Sequence, residues 1–164
     1  MNFLALDLGT TTGYCALING VKTHDTVSFK PSRFSGGGER FLRFARWLDA
    51  NIPRSPCEVS FEEVRRHRGT DAAHVYGGLL AVLTAHCEEH KIPYTGYPVG
   101  EIKKFWTGKG NADKSMMMTE AAKRGFQVKD DNEADAIAIL HLHLQRANWT
   151  ETTDAIPSDI SDLW

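Results

Sequence analysis

The apolar positions of this chain change period along its length. Phe3 to Leu8 is an almost unbroken apolar run and predicts a strand. A Gly/Thr turn over Gly9 to Gly13 separates it from a second strand, Tyr14 to Ile18, and Asn19-Gly20 leads into a third, Val21 to Phe29. Asn-Gly between apolar runs is the strongest short-range hairpin signal, because both residues tolerate positive φ, so the opening predicts an antiparallel meander. A Pro/Ser/Gly stretch over residues 30–37 ends the strands. Phe41, Leu42, Phe44, Ala45 and Leu48 then recur at helical spacing and predict a helix over Glu39 to Ala50.

Pro53 and Pro56 precede a short apolar strand, Glu58 to Val64. Asp71 to His90 is the longest predicted helix. It is apolar on more than one face, which implies burial on several sides or a place at a subunit interface. Ile92 to Tyr97 reads as a fifth strand, Val99 to Thr107 as a short helix, and Gly108 to Asn111 as a turn. Asp113 to Arg124 and Glu133 to Ala147 are the last helices, the second with Ala134, Ile137, Ala138, Leu140 and His141 inward. Three antiparallel strands followed by alternating helices and strands predict an α/β fold, a five-stranded mixed sheet with helices on both faces. Residues 1–147 read as one domain and residues 148–164 as an acidic C-terminal tail.

Composition narrows the class. With 41% hydrophobic and 24% charged residues among 164, the chain reads as a soluble globular protein. No apolar run approaches the roughly 20 residues needed to span a bilayer. The start lacks the pattern of a secretory signal, and Cys15, Cys57 and Cys87 are odd in number without a CxxC, so a reducing, cytoplasmic setting is expected. The net charge of -2 argues weakly against nucleic acid, but its distribution argues the other way. Basic residues crowd Arg65-Arg66-His67-Arg68 and the stretch from Lys103 to Lys114, while acids gather over 151–162 and at three core-forming positions.

Those three positions carry the chemistry. Asp7, Glu62 and Asp135 each sit in an apolar segment, and burying an unpaired carboxylate is costly, so their convergence points to a divalent cation and to metal-dependent phosphoryl chemistry. Strand alternation lets only one of Glu62 and Glu63 point towards Asp7. On the last helix, Asn132 and Asp131 precede Asp135 by three and four positions and share its face.

The order of elements, with an acid in the first strand, resembles the ribonuclease H-like fold, and the motifs resemble those of the RuvC-type Holliday-junction resolvases. Asp7-Leu8-Gly9-Thr10 followed by Gly13 is similar to that family's opening Asp-Pro-Gly-Ser loop, with Leu8 at the usual Pro and a loop one residue shorter. Phe61-Glu62-Glu63-Val64 resembles the strand that supplies the second acid. Ile102-Lys103-Lys104 and Gly110-Asn111-Ala112-Asp113-Lys114 resemble the basic segment before the last helix. Asn132-Glu133-Ala134-Asp135-Ala136 resembles the family's Asp-x-x-Asp-Ala. The matches run in order from residue 3 to about 143.

The resemblance implies a structure-specific endonuclease that cuts four-way and other branched DNA by paired nicks. It implies a homodimer, because a two-fold substrate calls for a two-fold enzyme, and two Mg2+ ions per site, for which Mn2+ can substitute. Glu62 is then the second acid, and Asn132 stands at the fourth, where its carbonyl oxygen or the neighbouring Asp131 can serve. Lys103 and Lys114 would hold the scissile phosphate. Arg65, Arg66, Arg68, Lys104 and Lys109 would contact DNA, and Trp106, with Phe105, could stack on an unpaired base, although two aromatics on the apolar side of a short helix is the plainer reading. The divergent first loop and fourth acid suggest a phage-encoded member acting in a bacterial cytoplasm. No membrane and no nucleotide cofactor are expected.

Two other readings compete. Asp7-Leu8-Gly9-Thr10-Thr11 also resembles the phosphate-binding loop of actin-like sugar kinases, which need a second such domain. A non-catalytic DNA-binding descendant of the fold would explain the missing fourth acid. Among seven histidines, His86 and His90 share a helix face, but no Cys accompanies them and a zinc site is not expected. Met116-Met117-Met118 reads as core or dimer packing.

Overall fold

A computed structural model describes residues 1–53, 56–65 and 69–149. The opening meander is β1 (Asn2–Asp7), β2 (Thr11–Ile18) and β3 (Val21–Ser28), followed by α1 (Glu39–Asn51), β4 (Cys57–Glu63), α2 (Thr70–His90), β5 (Tyr94–Pro98), α3 (Val99–Thr107), α4 (Lys114–Lys123) and α5 (Asp131–Arg146). The sheet runs β3-β2-β1-β4-β5, antiparallel across the meander and parallel from β1 through β4 to β5. This is the mixed sheet the residue pattern predicts. Asn19 and Gly20, at φ 52° and 79°, make the hairpin turn between β2 and β3.

Three boundaries differ from the sequence reading by two residues or more, each for a local reason. Thr11 to Gly13 belong to β2 rather than to a turn, because Gly13 pairs with Asp7 and carries the ladder to the end of β1. β5 starts two residues late: Lys91 turns left-handed at φ 54° and the Ile92 N–H donates back to the Cys87 carbonyl, closing α2 with a Schellman-type cap. Helix α5 starts two residues early, because the Asp130 carboxylate accepts the Glu133 N–H at 3.0 Å and caps it.

Side-chain alternation divides the core. Leu4 and Leu6 of β1, with Val59 and Phe61 of β4, pack under α1 and α2 against Phe44, Leu48, Leu79 and Leu83. Phe3 and Ala5 face the opposite layer, where α5 lies against the sheet with α3 and α4 around it. The even positions Glu58, Ser60 and Glu62 therefore face α5, and Glu63 faces away. Helix α5 is buried nearly all round, from Ala134 to Leu144. Polar groups tie it down. His143 hydrogen-bonds to Tyr97 of β5 at 2.9 Å and to Glu58 of β4 at 3.1 Å, and Glu133 bonds His24 of β3 at 2.5 Å while accepting the Lys129 N–H. Met117 is buried in this layer, with Met116 and Met118 partly so.

Two glycines are steric necessities. A Cβ on Gly13 would lie 1.9 Å from the Asn132 carbonyl oxygen, so β2 and the first turn of α5 touch backbone to backbone. A Cβ on Gly78 would lie 2.3 Å from the Phe41 ring, so Gly78 admits α1, whereas Gly77 faces open space. After α5 the ring of Trp149 packs on Phe3 at 5.1 Å, and residues 150–164 of the expected tail lie outside the described residues.

Gly13→Ala meets rigid backbone on both sides, and overpacking of this kind costs about 1–3 kcal/mol or more. Urea denaturation of the purified variant should show a loss of at least that size, while Gly77→Ala should leave the midpoint unchanged or raised.

Candidate active site

Asp7 ends β1, Glu62 lies one residue from the end of the adjacent parallel β4, and Asp135 lies one turn into α5. The alternation that sends Phe3 and Ala5 towards α5 sends Asp7 the same way, and that of β4 brings Glu62 with it. A hydrogen bond between the carboxyls of Asp7 and Glu62 pushes Asp7 up and Glu62 down. All three are held above the usual carboxylate range. Burial is the main cause at each, and the charges of Glu62, Asp135 and Asp131 add to it at Asp7. Asp135 rises to about 7, from burial first and then Glu62, against the opposing pull of Lys103 and Lys114.

Lys103 donates to the Ala112 carbonyl at 2.7 Å, which fixes it where its charge lowers the cost of Glu62 and Asp135. Lys114, largely exposed, pairs with Asp131 at 2.5 Å, and Asp131 raises its pKa. Asp131 is therefore part of the acidic cluster, whereas the backbone of Asn132 is spent against Gly13. Asp135 Oδ1 is buried and has no hydrogen-bond partner. Such an orphan oxygen, under the influence of the Glu62 and Asp131 carboxylates, fits a hard divalent cation. Asp7, Glu62, Asp135 and Asp131 are the residues that would hold it.

The remaining expected contacts separate. Lys104 and Lys109 are exposed, and Arg65, also exposed, pairs with Glu63 at 3.1 Å. Arg66, His67 and Arg68 lie outside the described residues. Trp106 corrects its expected role: it is 1% exposed, its indole N–H donates to the Met117 carbonyl at 3.2 Å, and Arg124 lies 4.0 Å above its ring, so it is core and no base can reach it. The Thr12 hydroxyl closes on the Gly9 carbonyl at 2.8 Å and accepts the Gly9 N–H, which removes the loop's first amide from any phosphate cradle of the sugar-kinase kind. Tyr76 went unnoticed in the sequence. Its hydroxyl donates to the Glu62 carbonyl at 2.7 Å and accepts the Val64 N–H at 3.0 Å, clamping the strand end that carries Glu62. It read only as one apolar residue of α2. It also lines, with Leu8, Thr10, Arg40 and Asp71, an open cleft of about 460 Å³ that reaches the loop after Asp7.

Similarity to known proteins agrees with this arrangement. A crossover junction endodeoxyribonuclease RuvC from Halorhodospira halophila is 30% identical over 158 residues, which span 92% of this chain and 95% of that protein. The chain belongs to the RuvC family. A RuvC from Oleidesulfovibrio alaskensis is 32% identical over 56% of the chain and 57% of its own length. Among solved structures, Thermus thermophilus RuvC in complex with a Holliday junction substrate superposes with a TM-score of 0.69 at 23% identity, covering 90% of this chain and 94% of that one. Thermus thermophilus RuvC alone gives a TM-score of 0.65 at 21% identity over 90% and 97%. No protein-family model matches the chain. The RuvC fold is thus shared over 90% of the chain, and none of the described helices is long and apolar enough to cross a membrane.

The raised carboxylates set the sign of a pH effect. The folded protein keeps protons on Asp7 and Asp135 that the unfolded chain releases above about pH 4, so stability falls as pH rises from there through about 7. In EDTA, the melting temperature should drop between pH 5 and pH 8. Asp135→Asn should flatten that drop, being more stable than wild type at pH 8 by about 4 kcal/mol, a gap that narrows as pH falls and closes below about pH 4.

Proposed function

We propose that this RuvC-family chain is a structure-specific endonuclease that hydrolyses phosphodiesters at four-way DNA junctions, with Mg2+ as its natural cation and two ions per site. The observation that carries the reading is the buried, unpartnered Asp135 Oδ1 in a group of carboxylates, Asp7, Glu62 and Asp135, that are electrostatically linked. Such ions would supply an activated water and neutralise charge on the leaving oxygen. Asp7 from β1, Glu62 from β4 and Asp135 from α5 would hold them. Asp131 serves as the fourth acid, one helical turn before Asp135, and this supports catalysis in a chain whose neighbouring residue is the neutral Asn132. Lys114, now paired with Asp131, exchanges that partner for the phosphate when DNA arrives, and Lys103 stabilises negative charge from a fixed position. Lys104, Lys109 and Arg65 supply phosphate contacts at the rim.

The enzyme acts as a homodimer. Gly77, Ala81 and Ala85 form an exposed, small-residue stripe along α2, a surface on which a second α2 could lie closely. Gly78 does not belong to it, being filled by Phe41.

Cleavage of a synthetic four-way junction beside linear duplex, in Mg2+ and in EDTA, tests the reading. Asp7→Asn should lose activity at least 1000-fold while keeping junction binding, and Asp131→Asn should lose more than Asn132→Ala. Symmetric paired nicks should become single nicks in Ala81→Glu, with a halved mass in sedimentation. A wild-type protein that binds junctions and cuts none in any divalent metal would sink the enzyme reading and favour a DNA-binding descendant.

A further inference from the structure

At the other end of the sheet, Asp49 near the end of α1 and His86 and His90 near the end of α2 bring one donor atom each within 4.8 Å of one another. Both helices end where β4 and β5 begin, whereas Glu62 sits at the far end of β4, roughly 15–20 Å along the strand. The group is separate from the acidic cluster. His86 and His90 are one turn apart, and their rings stand 4.4 Å centroid to centroid. His86 Nδ1 lies 3.4 Å from Asp49 Oδ1. That is long for a hydrogen bond, but it matches the spacing of two ligands that each stand about 2.0–2.2 Å from a tetrahedral ion. The three residues, with Ile52 and Ile92, line a hollow of about 10 Å³, the scale of a single water or ion.

We infer that Asp49, His86 and His90 form a second cation site, for a borderline transition ion such as Zn2+, with water in the fourth position. Two imidazoles and one carboxylate suit Zn2+, Ni2+ or Co2+ and not Mg2+, which prefers oxygen donors. The His86 side chain is 10% exposed, so its ring is held in place before an ion arrives. Ligands from two helices would fasten the end of α1 to the end of α2. Sequence spacing alone showed the His pair. The third ligand, Asp49, lies on α1, 37 residues before His86.

EDTA-stripped protein titrated with Co2+ should take up one equivalent with the visible absorption of a low-coordinate ion, displaced by Zn2+ and not by Mg2+. The same absorption should persist in Asp7→Asn, weaken at least tenfold in His90→Gln and Asp49→Asn, and vanish in the double His variant. Zn2+ should raise the melting temperature of wild type and Asp7→Asn but not of His90→Gln, whose Mg2+-dependent junction cleavage should equal wild type. The inference fails if the absorption disappears with Asp7 and survives the histidine changes, because the ion then belongs to the nuclease centre. It fails equally if Co2+ binds without any shift in melting, because the two helix ends are then not joined. Asp49 is exposed, so Asp49→Asn folds and keeps the test decisive should a histidine variant misfold.

Discussion

Like-charged carboxylates held together away from water repel one another, and this structure is organised around containing that repulsion. Asp7, Glu62 and Asp135 are each costly to ionise where they stand, chiefly through burial; Glu62 and Asp135 make Asp7 costlier still, and Glu62 does the same to Asp135. They stay together because the elements that carry them cannot part. β1 and β4 are paired along their length, and α5 is sealed against both by an apolar layer that runs from Phe3 to Leu144. The close approach of Gly13 to the Asn132 carbonyl brings the first turn of α5 to the edge of β1. Core packing thus stores an unfavourable electrostatic arrangement that a bound cation would relieve, which is how a binding site can gain affinity from a fold that pays for it in advance.

The two lysines moderate the same field in different ways. Lys103 is anchored by a backbone carbonyl and offsets Glu62 and Asp135 permanently. Lys114 extends from the start of α4 into solvent and touches the cluster only through Asp131. One positive charge is fixed and the other can be exchanged. The thiols stay outside this chemistry: burial pushes Cys57 up to about 11 and Cys87 to about 12, so neither ionises near neutrality.

Much of this was legible in the residues because the site is built from regular elements. Strand alternation and helical spacing carry Asp7, Glu62 and Asp135, and those periods survive translation from sequence to space. The choice between Asn132 and Asp131 was not legible, because both lie on the face of Asp135; the structure adds that Asp131 pairs with Lys114 and that the backbone of Asn132 meets Gly13. Trp106 illustrates the opposite limit. Beside two lysines it could have been a surface aromatic, and the burial that rules this out comes from α4 and Arg124, up to 18 residues away. Tyr76 and Asp49 were silent for the same reason, since each acts across elements.

The contacts of His143 have a geometric consequence. β4 and α5 run in opposite directions, and Glu58 meets His143 at one end as Glu62 approaches Asp135 at the other. Four strand residues span about 13 Å and eight helical residues about 12 Å. The two intervals match, as on a vernier scale, so the buried imidazole acts as the distant index mark that sets how far α5 has slid along the strand. A helix displaced by a single residue would break that mark and carry Asp135 about 1.5 Å out of alignment, which turns a remote hydrogen bond into the gauge of an active site.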